Sequence, residues 1–162
     1  MAEEYPVTPA VRALRNKNVQ FKPFIYRYEE HGGTRQFAEE FHVPEHAVVK
    51  TLVFETDHKK PLLVLMHGDN EVSTKQLARL LSVKQVLPCE ANTAMKHTGY
   101  QFGGTSPFGT RNALPVYAEK TIFELSNIYI NGGKRGFIIE IGSADLKKAL
   151  AITEIEVAIS ER

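Results

Sequence analysis

A chain of 162 residues, 43% hydrophobic and 24% charged, has the length and balance of one globular domain over residues 1–162, with an apolar core. Twenty Lys and Arg against nineteen Asp and Glu leave a formal charge of +1, which excludes the strong positive field of a nucleic-acid coat and makes any RNA contact local. The single cysteine excludes a disulfide framework and no apolar run is long enough to span a bilayer; residues 1–5 show no export leader, so a cytoplasmic location away from membranes is expected.

Thr8-Pro9 reads as an N-cap followed by proline at the first helical position, and Val11 with Leu14 supplies the apolar stripe of a helix reaching about residue 17. Residues 19–28 are aromatic and β-branched with Pro23 inside, which marks an edge strand, and Gly32-Gly33 ends it. Thr34 is placed to cap the next helix, where Phe37 and Phe41 share a face, and Pro44 starts a further turn. Residues 48–54 and 62–66 are strand-like runs whose polar connection, Asp57-His58-Lys59-Lys60-Pro61, suits a hairpin. Ser73 caps a helix carrying Leu77, Leu80 and Leu81, and residues 93–97 form one short helical turn. Beyond a glycine-rich stretch around Ser106-Pro107, residues 114–118, 128–131 and 137–141 read as strands, the last two joined by Gly132-Gly133-Lys134-Arg135-Gly136. Ser143 caps a final helix through Leu146 and Leu150, and residues 155–159 add a last strand. Helices early, strands later and short connections predict an α+β fold: a mixed, mostly antiparallel sheet, curled toward a partial barrel and flanked by helices.

Three segments in this order, Val49-Lys50-Thr51-Leu52-Val53, then Thr98-Gly99-Tyr100 running into Gly103-Gly104-Thr105-Ser106-Pro107-Phe108-Gly109, then Ile128-Tyr129-Ile130-Asn131-Gly132-Gly133-Lys134-Arg135-Gly136, resemble the YbaK and prolyl-tRNA-synthetase editing-domain family. The opening Thr8-Pro9-Ala10-Val11 matches as well, so the resemblance runs along almost the whole chain. It implies a freestanding deacylase that hydrolyses the ester of mischarged tRNA, often tRNA for proline carrying cysteine or alanine, with neither metal nor other cofactor. Its implied partners are the acceptor end of aminoacyl-tRNA and prolyl-tRNA synthetase or an elongation factor. Lys50 matches a lysine that holds the phosphate region of the terminal adenosine, while Gly103 and Gly104 belong to the loop that positions the ester carbonyl; these three are the expected catalytic residues. Tyr26 matches a tyrosine bordering the aminoacyl pocket, and Thr51, Thr105, Ser106, Pro107 and Asn131 complete the expected substrate contacts.

The residues themselves fit these roles in different degrees. Lys50 interrupts the apolar alternation of Val48, Leu52 and Phe54, which suits either an edge-strand lysine that discourages aggregation or an ammonium placed to bind phosphate. Glycines at 103 and 104 let backbone approach a ligand, and Pro107 stiffens the loop, so its N–H groups can be aimed at a developing oxyanion; an ordinary tight loop has the same composition. Ser106 lacks a Gly-x-Ser-x-Gly elbow, which argues against an acyl-enzyme. Lys134 and Arg135 sit on a glycine-rich turn where they are either solvated charges or contacts to acceptor-stem phosphates. Tyr26 on composition alone is a half-buried strand aromatic. Six histidines show no metal-ligand spacing, and Cys89 lacks basic neighbours that would lower its pKa.

Two positions depart from the cysteine-specific pattern: Asn131 stands where those relatives commonly have serine, and Ile138 where they have aspartate, which changes what the pocket prefers. Two other functions compete with the deacylase. A non-catalytic RNA or nucleotide-binding module would keep the fold and Lys50 without turnover, whereas the intact glycine loop favours an enzyme. A general small-molecule hydrolase would need an activated nucleophile or a metal site, and the sequence shows neither.

Overall fold

Residues 4–160 are described by the computed structural model; residues 1–3 of the segment read above for a leader lie outside them. Helix α1 (Pro9–Asn16) begins as its sequence predicts: Thr8 Oγ1 accepts from the Val11 N–H at 3.1 Å, and Ala10, Val11 and Leu14 are fully buried. The same threonine hydroxyl donates to the Gly132 carbonyl at 2.5 Å, tying the first helix to a hairpin 124 residues away. Strand β1 (Lys22–Ile25) is shorter than the predicted run of residues 19–28 and lies at a sheet edge, the position that tolerates Pro23, since proline has no N–H for a second neighbour.

Helix α2 (Gly33–Phe41) corrects one capping assignment. Its N-cap is Gly32, without a side-chain bond, and Thr34 lies inside the helix with its hydroxyl donated to Glu45 at 2.7 Å. The Phe37 and Phe41 rings do meet on one face, 4.7 Å apart. After a short 3₁₀ turn (Glu45–Ala47), β2 (Val48–Thr56) and β3 (Pro61–His67) form the predicted hairpin. Next come β4 (Asn70–Val72), α3 (Thr74–Leu81), whose cap Ser73 accepts from the Gln76 N–H at 3.2 Å, and β5 (Val86–Pro88). Helix α4 (Ala91–Thr98) has two turns where residues 93–97 predicted one, and Gly99 ends it in the left-handed region at φ 80°.

Strands β6 (Val116–Glu119), β7 (Asn127–Lys134) and β8 (Phe137–Gly142) follow, with Gly132 and Gly133 inside β7 rather than in the connecting turn. Helix α5 (Ser143–Ala149) corrects a second cap: Gly142 holds the N-cap position, and the Ser143 hydroxyl donates to the Leu125 carbonyl instead. The strand predicted at residues 155–159 is two strands, β9 (Ile152–Ile155) and β10 (Ala158–Ser160). Between them, the Val157 N–H turns to the Glu119 carboxylate at 2.7 Å.

The main sheet runs β1-β8-β7-β2-β3-β6-β9, with β5 also on β2, while β10 and β4 pair separately. In the main sheet ladders β2–β7, β3–β6 and β6–β9 are parallel and the other four antiparallel, so it is mixed with antiparallel pairs in the majority, as predicted. Its path ends at β1 and β9 without closing into a ring of ladders. Strand β3 is buried on both faces: Leu63 and Leu65 join one apolar cluster with Ile128, Ile130 and Ile139, while Val64 and Met66 join another with Leu77 of α3. Each such side chain contributes about 1.5–3 kcal/mol by leaving water. A third cluster, Phe37, Ala38, Val48 and Ile138, packs α2 onto the opposite part of β2 and β8.

Candidate active site

Strand β2 has two partners on one edge and a gap between them. Along its other edge β3 pairs from Val49 to Glu55, but on this one β7 reaches only Val48 and Val49, and β5 only Phe54 to Thr56. Residues 50–53 therefore have no strand neighbour there. The Val53 carbonyl is taken by the Cys89 N–H at 2.9 Å, and strand alternation turns the N–H and C=O of Thr51 the same way, into the gap. A cavity of about 880 Å³ opens at this place, lined by β2, the start of α2, the end of β5, α4 and the glycine loop. Thr51 is part of that wall, and its Oγ1, which has almost no accessible surface, is the one buried side-chain N or O among the described residues without a hydrogen-bond partner. Such an atom carries a desolvation cost of about 1–3 kcal/mol.

Lys50 lies in the same wall, half-buried, with Nζ 3.5 Å from the Gly68 carbonyl. That carbonyl also sits 3.4 Å from the Thr34 hydroxyl, and an added Cβ at Gly68 would come within 2.5 Å of Thr34 Oγ1. The β3–β4 turn is thus seated against α2, and it holds the ammonium at the cavity's edge.

The glycine loop is anchored from three sides. Tyr100, buried, donates its hydroxyl to the Phe108 carbonyl at 2.6 Å, and burial raises its pKa above the usual tyrosine value. Asn131 accepts with Oδ1 from the Gly133 and Lys134 N–H groups at 2.7 and 3.1 Å, across the bulge in β7, and donates from Nδ2 to the Gly103 carbonyl at 3.3 Å. Arg135 donates Nε to the Phe102 carbonyl at 2.7 Å, with its guanidinium 5.0 Å over the Tyr28 ring. Gly103 has φ 86° and a Cβ there would lie 2.5 Å from the Tyr28 hydroxyl, so only glycine fits. The Gly104 N–H is spent on the Gln101 carbonyl at 2.8 Å, while Gly103 and Thr105 line the cavity.

Of the residues singled out from sequence, Tyr26, Lys50, Thr51, Gly103, Thr105 and Asn131 line this one cavity. Five do not. Gly104 is glycine because its α-carbon abuts the β7–β8 turn: an added Cβ would lie 2.7 Å from the Arg135 nitrogen. Ser106 is fully buried, and its Oγ accepts from the Phe108 N–H at 3.1 Å, so it shapes the loop instead of touching a ligand. Pro107 is buried beside it. Lys134 points to solvent, and Arg135 is engaged with Phe102 and Tyr28 rather than free on the turn. Ile138 lines the cavity as an apolar residue, 6% exposed. Sequence reasoning missed Tyr28, Thr34, Glu45 and Phe102; of these only Tyr28 left a signal, two residues from Tyr26 on the same strand face.

Tyr26 titrates above the usual tyrosine range because of burial, then the nearby Tyr28 and Glu40. Cys89 lines the cavity with its thiol pushed up to about 11 by burial and then by Glu55, whose carboxylate accepts from Sγ at 3.7 Å. Both groups are therefore protonated at neutral pH. No three His, Cys, Asp or Glu side chains converge among the described residues, and no helix there is long and apolar enough to cross a membrane.

One lysine and a glycine loop around a cleft at a broken strand edge make a cavity whose chemistry suits an anionic, hydrogen-bonding ligand. More narrowly, the chain belongs to the aminoacyl-tRNA editing domain family, which matches residues 30–149. It is 29% identical over 135 residues to the provisionally named Cys-tRNA(Pro)/Cys-tRNA(Cys) deacylase EbsC of Enterococcus faecalis, covering 83% of this chain and 82% of that one. It is 31% identical over 99 residues to a proline–tRNA ligase of Lactobacillus delbrueckii subsp. bulgaricus, covering 61% of this chain but only 18% of the ligase. A solved structure described as a provisional trans-editing enzyme for prolyl-tRNA synthetase shares the fold, with a TM-score of 0.82, 18% identity and coverage of 97% of this chain and 100% of that one.

Proposed function

We propose that this chain is a trans-editing deacylase that hydrolyses the ester of mischarged tRNA, with tRNA for proline carrying cysteine, alanine or a similarly small amino acid as its substrate. The observation that carries the reading is the cavity at the β2 gap, whose lining brings Lys50 and Thr51 together with Gly103 and Thr105 of the glycine loop. The names of EbsC and of the trans-editing enzyme support the same substrate class.

In this reading the Lys50 ammonium pairs with the phosphate of the terminal adenosine, a charge-assisted contact that fixes the 3′ end. The ester carbonyl lies against the Gly103–Thr105 backbone. A nucleophile, either water or the thiol of a cysteinyl substrate, adds to the carbonyl carbon; the loop N–H groups stabilise the oxyanion; the ribose oxygen leaves and takes up the proton. Where water attacks, the free amino acid is released at once. Removing one such donor typically costs about 3 kcal/mol of transition-state stabilisation. Ile138 and the three-way engagement of Asn131 leave the pocket without a carboxylate or a free amide at those two positions, which suits a small side chain without charge.

The test is a deacylation panel using tRNA for proline charged with cysteine, alanine, serine, threonine and proline. Preferential release of cysteine or alanine with prolyl-tRNA spared supports the reading, and alanine release assigns attack to water because alanine has no nucleophilic side chain. Binding of these tRNAs without turnover would replace the deacylase with the binding module. The reaction is proposed to need no metal of its own, so activity should survive a strong chelator once the magnesium required by tRNA is restored. Loss that only zinc reverses would contradict that.

A further inference from the structure

Seven large hydrophobic side chains are strongly exposed among the described residues, and single exposed hydrophobics are ordinary on protein surfaces. Phe102 differs from the other six in two respects. It is the most exposed, at 67%, and it alone lines the cavity. Its loop is otherwise well anchored: Ser106, Pro107 and Phe108 just beyond it are buried, and the Arg135 Nε holds the Phe102 carbonyl at 2.7 Å. Arg135 is itself braced against Tyr28, which also borders Gly103. The backbone of residue 102 is thus fixed while its ring is left in water at the mouth of the cavity, beside the guanidinium of Arg135, whose chain neighbour is the exposed Lys134.

We infer that Phe102 is a stacking platform for the unpaired nucleobase that immediately precedes the terminal adenosine of the substrate, with Arg135 and Lys134 opposite the phosphates of that stretch. The inference rests on the editing reading of the cavity. A single-stranded 3′ end whose last nucleotide enters the cleft must pass over this rim. Every base offers a π face to an aromatic ring, while the cations meet the backbone without reading its sequence. The ring therefore adds affinity for the tail and register for the ester, and it is a positioning residue.

Two probes test this in the intact protein. The first is a single-stranded RNA ending in cytidine-cytidine-adenosine with a fluorescent cytidine analogue in the penultimate position, whose emission reports stacking. The second pairs full-length alanyl-tRNA with alanyl-adenosine ester, which lacks the preceding nucleotides. Phe102→Ala and Phe102→Leu should each raise the Kd for the RNA about tenfold and abolish the stacking signal, while Phe102→Trp keeps both. In turnover, Phe102→Ala should lose at least tenfold more on alanyl-tRNA than on the adenosine ester, chiefly through KM. Equal losses on both substrates would make Phe102 a structural element of the loop, and unchanged binding would leave its surface to a protein partner; either result overturns the inference. Full affinity in Phe102→Leu would overturn it too, since leucine is apolar but cannot stack. A wild-type protein active on the adenosine ester and indifferent to the tail defeats the platform alone, whereas one inactive on both substrates defeats the editing reading beneath it.

Discussion

Thr51 and Lys50 are neighbours in the chain, and both residues line the cavity. Thr51 lies where β2 has lost its strand partner, and its Oγ1 is buried with nothing to bond. Removing an unpartnered hydroxyl takes no hydrogen bond from the folded protein, so Thr51→Val should keep stability within about 1 kcal/mol of wild type. Because that hydroxyl has almost no surface open to the cavity, kcat/KM should also stay within about twofold of wild type. A denaturant midpoint and steady-state deacylation decide this; a large loss of stability with unchanged turnover would show that the hydroxyl serves the fold. The glycine loop gives the opposite pattern. Gly104→Ala should cost about 1–3 kcal/mol, because the new Cβ would lie 2.7 Å from the Arg135 backbone nitrogen. Ser106→Ala should also cost about 1–2 kcal/mol by orphaning the buried Phe108 N–H, but at a temperature where circular dichroism shows a folded chain its turnover should approach wild type. Abolished turnover in folded Ser106→Ala would reinstate Ser106 as a nucleophile.

At the scale of elements, the end of β3 carries a pH dependence. The His67 ring is fully buried and stacked on that of His46 at 3.6 Å. Its Nδ1 faces the His46 carbonyl at 2.6 Å and must donate; in the neutral ring Nε2 then accepts from the Thr121 hydroxyl at 2.6 Å. Burial is the largest influence and lowers the pKa, and the His46 side chain lowers it further, against the hydrogen bond to the His46 carbonyl and the charges of Asp69 and Glu124. With the folded pKa below the unfolded value near 6.5, the unfolded chain binds more protons in acid. Stability from this group is therefore complete above about pH 6.5 and is lost as pH falls through that value toward the folded pKa. The Tm should drop between pH 7.5 and 5.5, and His67→Asn, which keeps a donor toward the His46 carbonyl, should flatten that slope. An equal slope in the variant would assign the acid sensitivity to other groups.

Elements that depend on neighbours in sequence were legible, while those that depend on distant chain were not. The cap at Thr8, the cap at Ser73 and the β2–β3 hairpin follow from local rules, and each forms as its residues predict. Thr34 and Ser143 carry the same capping chemistry, but Glu45 and the Leu125 carbonyl, both distant in sequence, compete for their hydroxyls and win. The final strand breaks because Glu119, on β6, takes the Val157 N–H.

Across the whole molecule, the mixed sheet was readable from the alternation of apolar runs, but the feature that makes the site was not. The gap arises because β7 leaves β2 after Val49 and β5 joins it only at Phe54, a divergence between strands about 30 and about 80 residues apart that no local pattern encodes. Lys50 and Gly103 stood out because a charge in an apolar run and paired glycines are local anomalies. Tyr28, Thr34, Glu45 and Phe102 did not, since each becomes a wall of the cavity only once α2, the β3–β4 turn and the glycine loop have converged on β2. By the same logic Gly104 looked like a ligand contact and lies instead against the β7–β8 turn, and Arg135, outside the cavity lining, also holds the loop through the Phe102 carbonyl.

The cavity at the broken edge of β2 is proposed to hydrolyse the aminoacyl ester with Lys50 holding the 3′ end. The most direct test is the release of labelled amino acid from cysteinyl- and alanyl-tRNA for proline by wild type and Lys50→Ala, under multiple turnover at matched folded concentration. Wild type should turn over at least one of the two, and Lys50→Ala should melt as wild type does while losing about ten- to a hundredfold in kcat/KM, the worth of one charge-assisted contact. A wild-type protein that releases neither amino acid, or a Lys50→Ala variant that matches it, would contradict the account.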